Sequence, residues 1–529
     1  MSTIIPHIYP EGCYFHSLSD IAGKHITVMG LGLNGGGEAA VRFFLKHGAY
    51  VIATDMKRKE ELLPTIESLS EDETLDTSRL TYVLGEHRIE DFENADCVIK
   101  NPGVRFEGNK YLAAAKVVET DLSVFLQLSK APIIAVTGSK GKSTTVSAIY
   151  YGLQKSGFKA FLGGNITVSP LTFLEETDGM TPVVLELSSW QLRDLRGRKL
   201  LKPHIALITK MVSDHQNWYG NMIDYAADKM LIFADQTPKT FSIFDYDYDY
   251  FSAGVNREGK NTGIVNWGNY FSERAKNVVL RYSKSEPEDE EYLGAWLDKE
   301  GKGYVRLPKE LMSKHTIERG DTKELVLDDL AVLGEHARLN ALNAALVLRL
   351  MGIAPESVRD VLSKWGGIEH RLEYFHEWVL SDTGRLRNRR RIEFYNDTCA
   401  TVPEATAAAL KSFDKAVVLI AGGTDKNLNF AQLTAALIDS STRPEQIYLL
   451  DGTATDRLIE ILKKNGLKYN GPFSSLHELL VVMKAKLPQQ IKEGKTAVVF
   501  SPGATSFGMF KNEFDRGNQF KDEVKKMFF

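Results

Sequence analysis

The stretch APIIAVTGSKGKSTT (131–145) constrains this chain more than any other. The apolar strand PIIAV runs into a glycine-rich loop, and STTVSAIYYGL resumes with the spacing of a helix. Strand, glycine loop and helix in that order belong to an α/β fold built on a parallel sheet. Backbone N–H groups of Gly138, Ser139, Lys140 and Gly141 can surround phosphates, Lys142 can reach them as a point charge, and the Ser143 hydroxyl can meet Mg²⁺. A strict P-loop carries glycine at position 136; Val136 stands there, so this is a variant one glycine short.

The same pattern recurs on either side. HITVMG enters GLGLNGG, EAAVRFFLKHG follows as a helix, and AYVIATD is a second strand ending on Asp55. Gly30, Gly32 and Gly35 match GxGxxG, with Asp55 about 20 residues on, the fingerprint of dinucleotide sites. Its physics is more general, since glycines and a helix N-terminus suit any diphosphate, NAD, FAD or a UDP-sugar. PVVLELSSWQL and PHIALITKMVSDH read as further buried strands of the middle sheet. Between about 237 and 330, DYDYDYF and SEPEDEEY predict loops in an irregular excursion with a solvated face. Beyond His370, EYFHEWVL and RIEFYND predict a hairpin whose turn is the basic run RLRNRRR (385–391), which could also recognise phosphate. AVVLIAGG, QIYLLDG and TAVVFSPG then predict a second Rossmann-like unit. The expected domains are 1–127, 128–370 and 371–529.

With 529 residues, 43% hydrophobic and 25% charged, there is material for three such cores. A net charge of -4 gives no basic face for nucleic acid. Cys13, Cys97 and Cys399 are too scattered for a disulfide framework, which fits a reducing compartment. The N-terminus lacks a basic region followed by an apolar one, and no apolar run approaches a membrane span. A soluble, cytoplasmic, monomeric protein is expected. Glu186 at the end of PVVLE, Asp214 and His215 after a strand, and Lys229 on a helix suit a Mg²⁺–ATP site at the strand ends of an open sheet.

GSKGKST, ELSSWQL, SDH (213–215), YAADK (225–229), LGEHARLNALNAAL (333–346) and HRLE (370–373) together resemble the Mur ligases, whose plan folylpolyglutamate synthases share. SPGATSFGMFKNEFDRGNQF (501–520) and GLGLNG are similar to the branch that adds glutamate. The resemblance runs from about residue 23 to the C-terminus, the insertions apart. It implies three α/β domains: a Rossmann-like UDP-binding domain, a central P-loop-type ATPase and a C-terminal Rossmann-like domain. It also implies an ATP-dependent ligase of peptidoglycan synthesis that joins D-glutamate to UDP-N-acetylmuramoyl-L-alanine through an acyl phosphate, releasing ADP and phosphate.

The site residues follow from that resemblance. Gly32, Leu33 and Asn34 would face the UDP portion, with Asp55 and Met56 nearby, and Asn101 and Asn165 would line the precursor channel. Lys142, Ser143 and Thr144 would hold ATP phosphates; Ser143 and Glu186 would bind one Mg²⁺, His215 and a carbamylated Lys229 a second. Asn340 would meet the adenine, and Arg371 and Asp397 the phosphates and ribose. Thr401, Lys426, Ser506 and Phe507 would receive the amino acid. The chain departs from the family at three places. HNxxN becomes His336-Ala337-Arg338-Leu339-Asn340, Cys399 replaces a lysine of the DSKAT-like motif, and the aromatic after FKN arrives one residue late as Phe514. A related ligase with another amino acid (L-glutamate included) or another acceptor therefore stays open, as does a non-catalytic nucleotide switch.

Overall fold

A computed structural model describes residues 5–33, 35–166, 168–247, 251–255, 261–318, 320–332, 334–380, 390–413, 417–425, 428–490, 495–506 and 508–529. Among the described residues the protein is α/β, with three large, mainly parallel sheets and a two-stranded hairpin. The first contains β1 (His25–Met29), β2 (Tyr50–Asp55), β3 (Leu80–Leu84), β4 (Cys97–Lys100) and β5 (Val118–Glu119), in the order β3-β2-β1-β4-β5 and parallel throughout. Chain order reverses between β1 and β4, the place where open α/β sheets leave a crevice.

The middle sheet has nine strands. Its parallel heart is β6 (Ile133–Thr137), β7 (Phe161–Gly164), β8 (Val183–Glu186), β9 (Ile205–Ile208) and β10 (Phe241–Asp245). A separate hairpin of β11 (Phe251–Val255) and β12 (Asn261–Asn266) comes next in the chain. Then β13 (Val278–Ser283) and β14 (Gly294–Leu297) continue the parallel run, and β15 (Gly303–Arg306) and β16 (Glu324–Leu327) close the edge antiparallel. The expected loop excursion is thus corrected: most of it widens the sheet and buries Ile243, Leu280, Trp296 and Val305. SEPEDEEY does form the loop between β13 and β14. DYDYDYF begins on the last residue of β10 and ends on the first of β11, with 248–250 outside the described residues.

The third sheet comprises β17 (Glu373–Leu380), β18 (Arg390–Asn396), β19 (Val418–Ala421), β20 (Gln446–Leu450), β21 (Asn470–Phe473) and β22 (Lys495–Phe500), in the order β17-β18-β22-β19-β20-β21. The β17–β18 hairpin is antiparallel. Of its basic run, 385–389 lie outside the described residues. Arg390 and Arg391 belong to the strand, donating to the Pro488 carbonyl and pairing with Glu377 respectively. The chain divides into two compact units, Met1–Asp328 with Leu339–Leu362, and Asp329–Arg338 with Ser363–Phe529. The three cysteines are unpaired thiols. Among the described residues no helix is long and apolar enough to cross a membrane.

Candidate nucleotide and ligation site

The phosphate loop sits where β6 ends between β8 and β9. β6 is buried at all five positions, as a strand covered on both faces must be. Two glycines are dictated by close approach. Gly138 has φ 145°, and a Cβ there would stand 2.0 Å from Thr209 Oγ1. Gly141 has φ 90°, caps the helix Lys142–Lys155, and would drive a Cβ to 2.5 Å from Asn340 Oδ1. Thr209 donates to the Lys140 carbonyl at 2.8 Å, and Ser139 Oγ to that of Val212 at 2.9 Å. The Ser139 and Lys140 N–H groups donate to the Lys210 carbonyl. Donors for an anion therefore come from the start of the helix, where Lys142, Ser143 and Thr144 stand and N–H groups lack intrahelical partners.

Lys142 Nζ folds back onto the Gly138 and Ser139 carbonyls at 3.0 and 3.1 Å. Burial lowers its pKa, opposed by Glu186 and Asp214 and assisted by Lys140. Lys229, at the end of the helix Met222–Lys229, is 1% exposed. Its Nζ donates to the Gly138 carbonyl at 2.8 Å, lies 3.3 Å from Thr137 Oγ1 and sits 4.6 Å from the Tyr225 ring centre. Burial foremost, and then the neighbouring Lys142 charge, hold its pKa well below the lysine range. Glu186 is 2% exposed; Oε1 accepts from Asn165 Nδ2 at 2.9 Å, and Oε2 has no partner. His215 is exposed at φ 52°, with its ring 5.2 Å from Trp190 and 6.1 Å from Tyr225. Asp214 accepts its backbone N–H at 2.9 Å and lies 3.6 Å from Lys140 Nζ.

Mg²⁺ fits this donor set in one definite respect. A buried carboxylate oxygen without a hydrogen bond needs a cation or a donor, and Glu186 Oε2 is one. Among the described residues no three His, Cys, Asp or Glu side chains gather into a self-sufficient metal cage. Asn340 meets the loop from the helix Glu335–Leu350, its Oδ1 accepting from Thr145 Oγ1 at 3.4 Å.

At the β1–β4 crevice the Gly32 N–H donates to Asp55 Oδ2 at 2.9 Å, so Asp55 shapes the glycine loop. Leu33 and Met56 are exposed, 49% and 62%; Asn34 lies outside the described residues. Asn101 Oδ1 accepts from the Gly103 N–H at 3.1 Å. Beside it, Lys100 Nζ pairs with Asp194 at 2.6 Å in a buried contact between the first and middle sheets.

In the other unit, Asp397 accepts from Ser501 Oγ at 2.6 Å and the Leu372 N–H at 3.1 Å. Burial outweighs both and pushes its pKa up to about 7. Arg371 is exposed; Thr401 and Cys399 are half-buried, and Cys399 donates its N–H to the His370 carbonyl. Ser506 is 4% exposed and lines a 350 Å³ pocket at the ends of β19, β20 and β22. Lys426 and Phe507 lie outside the described residues. Sequence reasoning missed Thr209, the Asn165–Glu186 bond, the rings of Trp190 and Tyr225 around His215, and Arg516 on the pocket wall. Only Thr209 had a usable signal, as the first residue past an apolar run.

Known proteins share this organisation. The family model of the Mur ligase middle domain matches residues 136–348, and that of the MurD-like Mur ligase N-terminal domain residues 24–121. UDP-N-acetylmuramoylalanine–D-glutamate ligase of Treponema pallidum (strain Nichols) is 37% identical, over 96% of this chain and 98% of that protein. Its namesake from Borreliella afzelii (strain PKo) is 38% identical, over 96% and 99%. The crystal structure of UDP-N-acetylmuramate–alanine ligase from Thermotoga maritima is 17% identical and shares the fold, with a TM-score of 0.50 over 95% of this chain and 99% of that one.

Proposed function

This chain belongs to the Mur ligase family, and we propose how its residues carry out the reaction. It is an ATP-dependent ligase that adds D-glutamate to UDP-N-acetylmuramoyl-L-alanine. A carboxylate does not condense with an amine unaided, because oxide is too poor a leaving group. Transfer of the γ-phosphoryl group of ATP to the alanyl carboxylate makes an acyl phosphate and ADP. The glutamate amine then attacks the carbonyl carbon, and phosphate departs.

The observation that carries the residue assignment is the convergence of Lys142, Lys229 and Glu186 on one glycine loop. Lys142 leaves the loop carbonyls for the phosphates, and the free N–H groups at the helix start orient them. Ser143 and Glu186 would hold one Mg²⁺; His215 and Lys229, carbamylated on Nζ, would hold the second, and the bound ions would supply charge neutralisation at the transferring group. Asn340, Arg371 and Asp397 position the nucleotide. Gly32, Leu33, Asn34, Asp55, Met56, Asn101 and Asn165 hold the precursor; Thr401, Lys426, Ser506 and Phe507 receive glutamate. The functional division follows residues 1–127, 128–370 and 371–529, and the protein works as a monomer in the cytoplasm.

The test is phosphate release over a panel of acceptors and amino acids. Turnover requires ATP, UDP-N-acetylmuramoyl-L-alanine and D-glutamate together, and Lys142→Ala loses more than about tenfold, ~1.4 kcal/mol of transition-state stabilisation. Preference for L-glutamate or alanine would overturn the amino-acid assignment. A Lys142→Ala enzyme of near wild-type rate would overturn the loop's role.

A further inference from the structure

Arg516 stands in FKNEFDRGNQF, on the first turn of the helix Glu513–Met527. The next residue, Gly517, lets that helix pack closely: a Cβ there would meet His370 Nδ1 at 2.1 Å and Thr398 Oγ1 at 2.4 Å. Arg516 beside it is 1% exposed. Its Nη1 donates to the Ala504 carbonyl at 3.1 Å and Nη2 to that of Thr398 at 2.8 Å, while Nε has no partner among the described residues.

The other deeply buried arginines differ in one respect. Arg198 has Glu119 at 2.7 Å, and Arg349 has Glu324 at 2.7 Å. Among the described residues no carboxylate lies within ion-pair distance of Arg516, and Glu513 acts on it only from farther off. Burial pushes its pKa down to about 10, so at neutral pH it keeps its proton and its charge. A buried charge without a counter-ion costs several kcal/mol and survives where something repays it. Arg516 lines the 350 Å³ pocket together with the hydroxyl residues Thr453, Thr505 and Ser506. Its Nη1 lies within 3.6 Å of where a Cβ on Gly423 would stand, beside the pocket wall that Gly423 lines. Asp451, the acidic residue on the same wall, is exposed and holds the Gly452 N–H at 2.9 Å.

We propose that Arg516 is the fixed counter-charge for a carboxylate of the incoming amino acid in this pocket. It is a positioning residue, acting through its field and through the two loops it ties, those of Thr398–Thr401 and Ala504–Ser506. The inference rests on the reading of the chain as a glutamate-adding ligase.

Steady-state kinetics of Arg516→Met and Arg516→Lys in the full-length enzyme test it. Arg516→Met raises the KM for D-glutamate about tenfold or more, the scale of a charge-assisted interaction, and leaves the KM for ATP unchanged. Arg516→Lys, which keeps the charge but not the fork, falls between the two. Equal rises in both KM values, or a glutamate KM unchanged in folded Arg516→Met, would overturn the proposal. Should Arg516→Met not fold, the ¹⁵N resonance of Arg516 Nε in the wild-type enzyme decides: it shifts on adding D-glutamate with ADP and precursor present, and no shift defeats the idea. A wild-type enzyme that ignores glutamate would instead defeat the functional reading beneath it.

Discussion

At Lys229 the role proposed for the side chain comes at the expense of stability. Burial and the Lys142 charge hold its pKa well below the ordinary value, and the pull of Asp214, Asp228 and Glu186 does not offset them. With the folded pKa depressed, the unfolded state binds more protons between that value and the ordinary 10.5, so stability falls as pH drops through this window. Below it the full cost is present. A lowered pKa also favours the proposed carbamylation, because CO₂ adds to the neutral amine: the nitrogen forms the C–N bond, a proton leaves to water, and an anionic carbamate remains. Lys229→Met therefore abolishes phosphate release while the melting temperature at pH 7 stays the same or rises. Differential scanning fluorimetry beside the activity assay checks this, and a variant that is active or clearly less stable would refute it. At this scale the sequence was most legible where chemistry is local. Lys142, Ser143 and Thr144 follow one another in the sequence, and the structure places them together at the helix start. The Asn165–Glu186 bond and the Gly138–Lys229 contact span 21 and 91 positions, and no pattern of types announces them.

The elements that bear these residues lean on one another in ways only partly written in the sequence. Strand, glycine and helix at β6 were legible because four buried apolar residues, a turn and a helical spacing are contiguous. The widening of the middle sheet was not, because β14, β15 and β16 are four residues each and separated by charged loops. Their role is support. Glu324 at the start of β16 accepts from Arg349 Nε at 2.7 Å, and Arg349 lies on the helix Glu335–Leu350 that brings Asn340 to the phosphate loop. Both side chains are at most 3% exposed. Burial works against the Glu324 charge, yet Arg349, the Ser313 N–H and Thr316 outweigh it and hold the pKa below the ordinary 4.5. A depressed carboxyl contributes stability above its unfolded pKa and loses it as pH falls through the folded one. Glu324→Gln, which strands the Arg349 charge, should cost about 3–5 kcal/mol in urea unfolding at pH 7. The difference from wild type should shrink below pH 4.5. A pH-independent difference would mean that the charge contributes nothing.

Across the larger unit, the first and middle sheets are held in register by buried charge. Arg198 donates Nη2 to the Val118 carbonyl at 2.6 Å and Nε to that of Asp194 at 2.9 Å, pairs with Glu119 at 2.7 Å, and lies 4.2 Å from the Tyr9 ring centre. Tyr9 in turn reaches Asp194, the partner of Lys100, which precedes Asn101. The segment carrying Tyr9 adds backbone bonds from Tyr9 to Arg196 and from Gly12 to Arg198. Loop Asn101–Gly103 stands on the first sheet and Asn165 on the middle one, so this network fixes the spacing of the two loops proposed to hold the precursor. The phosphate loop depends instead on β6, β9 and Thr209, all within the middle sheet. Arg198→Met removes the counter-charge of Glu119, which keeps only the Tyr14 N–H and Ser123 Oγ as donors, together with the donors to the Val118 and Asp194 carbonyls, and should cost about 3–5 kcal/mol. More tellingly, it should raise the KM for the UDP-linked precursor several times more than the KM for ATP, because the residues proposed for the precursor lie on both sheets and those proposed for the phosphates on one. Both constants measured well below the variant's unfolding temperature decide the matter. A parallel rise in the two would mean that Arg198 supports the fold as a whole, and that the spacing of these loops is set by the packed apolar residues around them.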